Sequence, residues 1–310
     1  MVAIGGVMLG QIGLQFTNEC HGHCIMCDNK LSKRPFEFFP KDQLDGILRQ
    51  IKAIGANGRR APTGVCGDGE AVYHPEFVDM IGMVAKELYW CFGSNCDALT
   101  KEKSEAIVAN KPCVVSLSMD AVTSETLKQL RPGVAFERAR VNALEFIEEV
   151  KRRPVWDRDF FVQFVVMKQN AHELNDWVAY WLPLIQDIPG FKLHIKNVFV
   201  WPRILKMDVR SFWPAPKVNY AFDPANPKIQ ISGEVKNVRA SCRLLWSFAW
   251  IMSNGAYNPC CMCADDVWEV GNVFNGGSIV GLYNSAKMIK YQGYFERGKW
   301  DKLPLCGRCR

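Results

Sequence analysis

Cysteine residues offer the clearest chemistry in this sequence. Cys20, Cys24 and Cys27 have the spacing C-x3-C-x2-C. Three thiolates can hold three irons of a [4Fe–4S] cluster and leave the fourth iron open to another ligand. From spacing alone, the alternative is a zinc ion with His21 or His23 as its fourth ligand.

A second group of cysteines lies near the end of the sequence. Twelve residues separate Cys242 from Gly255, four separate Gly255 from Cys260, and Cys306 and Cys309 follow as C-x2-C. Four thiolates suit a fully ligated [4Fe–4S] cluster or a structural zinc ion.

The predicted secondary structure places the first cysteine group at one end of a sheet. Strand-like runs cover residues 11–17, 61–66, 89–93, 114–119, 160–167 and 193–200, and helical periodicities cover 40–54, 76–88, 101–109 and 173–185, with a helix-rich segment up to 149. This alternation predicts an α/β fold with a parallel sheet of six βα units. Eight units would close a barrel, whereas six leave it open. Functional residues are expected on loops at the carboxyl ends of the strands.

Composition places the chain among globular proteins. Its 310 residues, 48% of them hydrophobic and 23% charged, suffice for one barrel-like domain and a small appendage. The apolar N-terminal segment lacks a basic leader, and no run is long and apolar enough for a membrane helix.

Thirteen cysteines without a secretion signal predict reduced thiols in the cytoplasm. The net charge of +6 comes without a Lys/Arg run, so no nucleic-acid partner is predicted. Because no run suits a membrane helix, no membrane partner is predicted either.

A proline-rich, aromatic stretch divides the sequence at residues 201–235, where no clear periodicity is found. We therefore predict a partial barrel over residues 1–200, a connector over 201–235 and a second domain over 236–310.

Further motifs lie at the predicted strand ends. They are Gly67-Asp-Gly-Glu70 with His74-Pro75, Ser94-Asn95, Ser116-Leu-Ser-Met-Asp120 and Arg131-Pro-Gly133. With the C-x3-C-x2-C spacing they resemble the motifs of the radical S-adenosylmethionine (SAM) family, although Ala71 replaces a proline and Cys96 a glycine. The resemblance implies a partial (β/α)6 TIM-like barrel in which Cys20, Cys24 and Cys27 bind a [4Fe–4S] cluster and the open iron binds SAM.

The same resemblance assigns residues to the SAM site. Glu70 would hold the amino group of SAM, Ser118 would meet its ribose, and Arg131 would bind its carboxylate, because a guanidinium can do so bidentately. A helix cap is the alternative role for Arg131, and core packing is the alternative for Met26. The implied SAM contacts are Met26, Gly67, Gly69, Glu70, Ser94, Asn95, Ser118, Asp120, Arg131 and Met167.

The second cysteine group resembles the auxiliary iron–sulfur module called SPASM, in the shortened "twitch" form that needs no cysteine beyond the final C-x2-C. The likeness implies that Cys242, Cys260, Cys306 and Cys309 bind a second [4Fe–4S] cluster. Cys261 and Cys263 are then surplus to ligation. A thiol there could donate a hydrogen atom to a substrate radical, and a structural role is the alternative.

The resemblance implies an oxidoreductase that cleaves SAM reductively to a 5′-deoxyadenosyl radical and removes hydrogen from an unactivated C–H bond. Hydrogen return from a thiol would give epimerisation, and electron transfer to the auxiliary cluster would give dehydrogenation. The expected substrate is a sugar-like or aminoglycoside-like natural product or a peptide, and the expected electron donor is a flavodoxin or ferredoxin. The alternatives are a peptide maturase that oxidises or cross-links a residue and a non-catalytic iron–sulfur or zinc protein, which would release no 5′-deoxyadenosine.

Overall fold

A single sheet forms the centre of the structure. A computed structural model of the chain describes residues 9–55, 57–58, 61–65, 67–153, 157–198, 219–232, 242–262, 265, 267–268 and 270–309. The strands in this part of the chain are β1 (Gln11–Leu14), β2 (Thr63–Val65), β3 (Trp90–Ser94), β4 (Val114–Ser118), β5 (Asp159–Val166), β6 (Phe191–Asn197), β7 (Ile229–Ser232), β8 (Phe248–Ile251) and β9 (Tyr257–Asn258). Their order in the sheet is β7-β6-β5-β4-β3-β2-β1-β8-β9. Strands β1 to β8 pair in parallel, and β9 pairs antiparallel with β8.

Most of the helices lie between successive strands, and two follow the last strand of the sheet. They are α1 (Lys41–Ile54), α2 (Phe77–Glu87), α3 (Lys101–Ala109), α4 (Ser124–Leu130), α5 (Phe136–Arg152), α6 (Leu174–Ile185), α7 (Leu244–Ser247), α8 (Ile279–Tyr283) and α9 (Ala286–Glu296). Helix α1 shows why these segments are helical, since its apolar residues at helical spacing are all buried: Leu44, Ile47, Leu48, Ile51 and Ile54. It ends at Gly55, whose φ of 68° is the left-handed conformation of a helix C-cap.

Successive side chains along a strand alternate between the hydrophobic core on one side of the sheet and a more polar, half-buried surface on the other. On β4, Val115 and Leu117 are buried in the main core, whereas Ser116 and Ser118 on the opposite side are half-buried. We call this second side the inner face of the sheet. It also carries Gln163 of β5 and Lys192, His194 and Lys196 of β6, as the strand registers show.

Six parallel strands precede residue 200, and the predicted α/β partial barrel is confirmed. Two further parallel strands extend the sheet beyond this prediction. Strand β7, within the predicted connector, pairs with β6, and β8, within the predicted second domain, pairs with β1. Neither β7 nor β8 belongs to the regular alternation of strand and helix that precedes residue 200. The local sequence pattern therefore did not identify them. Most of the connector, residues 201–218, lies outside the described residues, as do residues 233–241. The division of the chain into three segments therefore stays a prediction.

Candidate active site

The first cysteine group lies on the loop between β1 and α1. Backbone hydrogen bonds tie this loop to the connection between α4 and α5: the His23 N–H donates to the Pro132 carbonyl at 2.6 Å, and the Ile25 N–H donates to the Leu130 carbonyl at 2.9 Å. Gly133 allows this approach, since a Cβ at its position would collide with the His21 carbonyl. Its φ of 93° also favours glycine. The Arg131-Pro-Gly133 segment therefore supports the cysteine loop.

Two side chains direct N–H groups at the sulfur atoms of this loop. Asn95 Nδ2 lies 3.6 Å from Cys20 Sγ, and Arg131 Nη1 lies 3.5 Å from Cys24 Sγ. Burial raises the pKa of Cys20 to about 12, with a further contribution from Glu70, and burial also raises the pKa of Cys24 and Cys27. Buried thiolates need a compensating positive charge, which iron would supply.

The donor set at this loop fits a [4Fe–4S] cluster, because it combines three buried thiols with N–H groups that hydrogen-bond to sulfur. Within the described residues, no group of three or more His, Cys, Asp or Glu side chains could hold a single metal ion. A [4Fe–4S] cluster does not need its ligands to meet at a single metal ion, because each of the three thiolates binds a different iron atom.

Arg131 is paired with a buried carboxylate. Its Nε donates to Asp120 Oδ2 at 2.7 Å and its Nη2 donates to the same oxygen. The other oxygen, Asp120 Oδ1, accepts from the Val165 N–H at 2.8 Å. Asp120 thus orients Arg131 toward Cys24, and the structure brings these two predicted residues together.

Glu70 lies at the carboxyl end of the sheet with one oxygen engaged. Its Oε2 accepts from the Asn95 backbone N–H at 2.8 Å, while its buried Oε1 has no hydrogen-bond partner within the described residues. Burial raises the pKa of Glu70 to about 7. The Ser94 hydroxyl accepts from the Cys96 N–H, which shapes the turn that presents Asn95. These contacts bring three predicted residues, Glu70, Ser94 and Asn95, to one place.

The predicted glycine contacts have a packing role. A Cβ at Gly69 would collide with the backbone of Thr17 and Asn18, and a Cβ at Gly67 would press on the Trp250 ring. Their close approach brings the Gly67–Glu70 segment against the start of the cysteine loop.

Met26 and Met167, two of the implied SAM contacts, occupy one small buried cluster with Cys24. Asn170 holds this region, since its Oδ1 accepts from the Met167 N–H at 2.7 Å and its Nδ2 donates to the Asp120 carbonyl at 2.9 Å. Sequence reasoning did not assign Asn170 a role, although it lies only three residues after Met167. Ser118 ends β4 on the inner face.

The second cysteine group also comes together. Burial raises the pKa of Cys260 well above its usual range, and Cys261, Cys306 and Cys242 add to this effect. Burial raises the pKa of Cys261 to about 11, and Cys242 and Cys309 contribute. The other three predicted ligands, Cys242, Cys306 and Cys309, therefore lie near the Cys260–Cys261 pair, and this thiol set fits an iron–sulfur cluster. Cys263 lies outside the described residues.

Asp68 lies close enough to both cysteine groups to affect their thiols electrostatically. This buried carboxylate contributes to the raised pKa of both Cys27 and Cys261. From the sequence, Asp68 is named only as part of the Gly67–Glu70 motif and is assigned no role. Its role depends on contacts between segments almost two hundred residues apart, for which a single sequence carries no signal.

Comparison with known families identifies the barrel. The family model described as the Radical SAM superfamily matches residues 14–179. The chain belongs to the radical SAM superfamily. A second model, SPASM, described as an iron–sulfur cluster-binding domain, matches residues 242–310. The predicted cofactors of this radical SAM enzyme, [4Fe–4S] clusters and SAM, are confirmed.

Solved structures show the same fold. SuiB from Streptococcus suis bound to S-adenosylmethionine is similar with a TM-score of 0.66 and 16% identity, over 97% of this chain and 72% of SuiB. BtrN in complex with AdoMet and 2-DOIA is similar with a TM-score of 0.59 and 13% identity, over 100% of this chain and 94% of BtrN. No curated protein matches the chain. None of the helices in the described segments is long and apolar enough to cross a membrane.

Proposed function

We propose that this enzyme binds SAM at the Cys20–Cys27 loop and removes a hydrogen atom from an unactivated C–H bond of a polar natural product. When bound, the cluster and SAM supply a 5′-deoxyadenosyl radical, and the protein binds, orients and shields the reactants. The observation that carries this proposal is the convergence of the Cys20–Cys27 loop, Glu70 and Arg131 at the carboxyl ends of the strands.

Each SAM contact has a chemical basis. The buried Oε1 of Glu70, which has no partner in the described part of the chain, can accept a hydrogen bond from the amino group. Arg131 places a positive charge beside Cys24, where it can attract the SAM carboxylate. Met26 and Met167 offer an apolar surface to the adenine, and Ser118 offers a hydroxyl on the inner face.

A polar substrate matches the inner face. Ser116, Ser118, Gln163 and His194 follow one another across β4, β5 and β6 on this face. Their hydroxyl, amide and imidazole groups can hydrogen-bond to a sugar-like or aminoglycoside-like compound. A peptide backbone offers similar groups, so a peptide substrate is the competing outcome.

We propose epimerisation as the reaction, with Cys261 or Cys263 as the hydrogen donor. Cys261 is near the second cysteine group and near Asp68, which also acts on Cys27. A thiol at this position could return a hydrogen atom to a substrate radical bound between the two cysteine groups. The substrate radical gains the hydrogen atom and leaves a thiyl radical, which one electron from a flavodoxin or ferredoxin and one proton from water return to the thiol. Dehydrogenation is the competing reaction and requires no donor thiol.

SAM cleavage tests the general proposal. The anaerobic, iron-loaded protein with dithionite should release 5′-deoxyadenosine from SAM. Cys24→Ala should abolish this release, whereas Cys113→Ala, which changes a buried cysteine away from the site, should retain it. Absence of 5′-deoxyadenosine with the unsubstituted protein would contradict the proposal.

Deuterated water separates the two reactions for each candidate sugar, aminoglycoside or peptide. An epimer should carry one solvent deuterium, because thiol protons exchange with water. Replacing the donor, Cys261→Ala or Cys263→Ala, should stop epimer formation while SAM cleavage continues. A product lighter by two hydrogens, without deuterium and unaffected by both variants, would establish dehydrogenation instead.

A further inference from the structure

We infer that Lys196 binds a carboxylate or phosphate group of the substrate on the inner face of the sheet. This inference rests on the proposed function, because it adds a charged anchor to the substrate site proposed above.

The fold directs Lys196 away from the helices. In β6, Phe191, Leu193 and Ile195 are buried in the main core, and α6 packs on β5 and β6. Because side chains alternate along a strand, Lys196 lies on the inner face with His194. The His194 ring confirms this direction, since it lies 5.2 Å from the Phe161 ring and its Nε2 lies 2.7 Å from Ser232 Oγ on β7.

Two lysines on this face have different surroundings. Lys192 Nζ lies 3.3 Å from Asp159 Oδ1 and forms an ion pair. Lys196 forms neither an ion pair nor a hydrogen bond through its ammonium group with any described residue. Asp120 is the carboxylate that acts on Lys196 at longer range, and its oxygens are already engaged by Arg131 and Val165. A half-buried ammonium without a counter-ion is unfavourable, and a bound anion would remove that cost.

The charge states of His194 and Lys196 suit the binding of one anionic group of the substrate. Burial, with a contribution from Lys196, lowers the pKa of His194 to about 4, so the imidazole is neutral near pH 7. Burial lowers the pKa of Lys196, and the charge of Asp120 opposes that change. Because Lys192 is paired with Asp159, Lys196 is the lysine of this face that offers an ammonium group without an ion-pair partner among the described residues, and it does so beside a neutral hydrogen-bonding ring.

The position also suits a substrate rather than a remote ligand. Val165 is the register partner of Lys196 on β5, and it packs against the buried cluster that contains Cys24 and Met167. An anion on Lys196 would thus lie beside the proposed SAM site, and it would fix the substrate with its reacting carbon toward the strand ends.

The test measures anion binding by the iron-loaded protein with SAM present. The probes are inorganic phosphate and acetate, and titration calorimetry gives their dissociation constants for the unsubstituted protein, Lys196→Met and Lys192→Met. We expect Lys196→Met to lose at least tenfold in affinity for the preferred anion and Lys192→Met, the matched control on the same face, to bind it as the unsubstituted protein does. Lys196→Arg should retain most of the affinity, because it keeps the positive charge. Tighter binding of phosphate would indicate a phosphorylated substrate, and tighter binding of acetate a carboxylate.

Three results would overturn the inference: no anion binding by the unsubstituted protein, equal binding by Lys196→Met, or loss of SAM affinity in Lys196→Met, which would place Lys196 in the SAM site. Circular dichroism of each variant checks that it is folded, and Lys196→Gln replaces Lys196→Met if the latter is not. The 5′-deoxyadenosine assay on the unsubstituted protein is independent of Lys196, so failure of the anion site and failure of the proposed function are distinguishable.

Discussion

The guanidinium of Arg131 and the thiol of Cys24 meet in the protein interior, where Nη1 lies 3.5 Å from Sγ. Asp120 holds the other side of the same guanidinium. One arginine therefore connects the cysteine loop, the end of β4 and the start of the α4–α5 connection. A planar guanidinium can serve several acceptors in fixed directions, which an ammonium cannot do.

Arg131→Lys should weaken SAM binding by about tenfold or more, because one charge-assisted hydrogen bond contributes roughly 1.5–3 kcal/mol. Equilibrium binding of SAM to the iron-loaded protein measures the effect. Arg140→Lys is the control, since Arg140 pairs with Glu137 at the surface and should bind SAM normally. An unchanged SAM affinity in Arg131→Lys would remove Arg131 from the SAM site.

Iron analysis should separate the two cysteine groups. The reconstituted protein should hold about eight irons, since each [4Fe–4S] cluster holds four. Changing Cys20, Cys24 and Cys27 together to alanine should leave about half, because the second group has its own ligands. Changing Cys91 and Cys113, which lie outside both groups, should leave the iron content unchanged. Zinc in place of iron in the triple variant would refute a cluster at the second group.

Local sequence patterns predicted the parts of the structure that depend on neighbouring residues. Helix α3 covers Lys101–Ala109 as its periodicity indicated. Cys96, which replaces a glycine of the family motif, has a φ of 66°, the left-handed conformation that glycine adopts easily. The pairing of β7 with β6 and of β8 with β1 depends instead on distant segments.

The candidate site likewise depends on contacts between distant segments, which local sequence patterns do not predict. Cysteine spacing identified both thiol groups, but it carried no information on Asp68 between them or on the Asp120 partner of Arg131. Such contacts form only when loops from different strands meet, so neither propensity nor spacing within one segment encodes them.

Lys111→Gly should stabilise the protein by about 0.5–1 kcal/mol, because a left-handed backbone is unfavourable for residues with a Cβ. Lys111 is exposed, follows the end of α3 and has a φ of 50°. Urea unfolding of the iron-loaded protein measures the change. Lys111→Ala removes the same side chain but keeps the Cβ, so it should give no such gain. Equal effects of the two substitutions would show that the side chain, not the backbone, is responsible.

SAM binding should depend on pH through Glu70. Burial raises the pKa of Glu70 to about 7, so its carboxylate is mostly protonated at pH 6 and mostly ionised at pH 8. Only the ionised form offers Oε1 as a strong acceptor to the SAM amino group, so affinity should rise by about tenfold between these pH values. Stability has the opposite dependence: a carboxyl pKa raised by folding stabilises the protein fully below its unfolded-state value, and this contribution is lost as pH rises through about 7.

Glu70→Gln should therefore bind SAM weakly, and its SAM affinity should lack most of the rise between pH 6 and pH 8 that ionisation of Glu70 causes. The matched control is Glu173→Gln, which changes another buried glutamate. Burial acts to raise the pKa of Glu173, but hydrogen bonds, among them those from the Thr123 hydroxyl and the Val122 N–H, outweigh burial and lower the pKa. Glu173 therefore stays ionised throughout the range. The control should keep the tenfold rise in SAM affinity that the unsubstituted protein shows. Dissociation constants for SAM from pH 6 to pH 8 decide the matter: parallel curves for Glu70→Gln and the unsubstituted protein would mean that Glu70 does not contact the amino group.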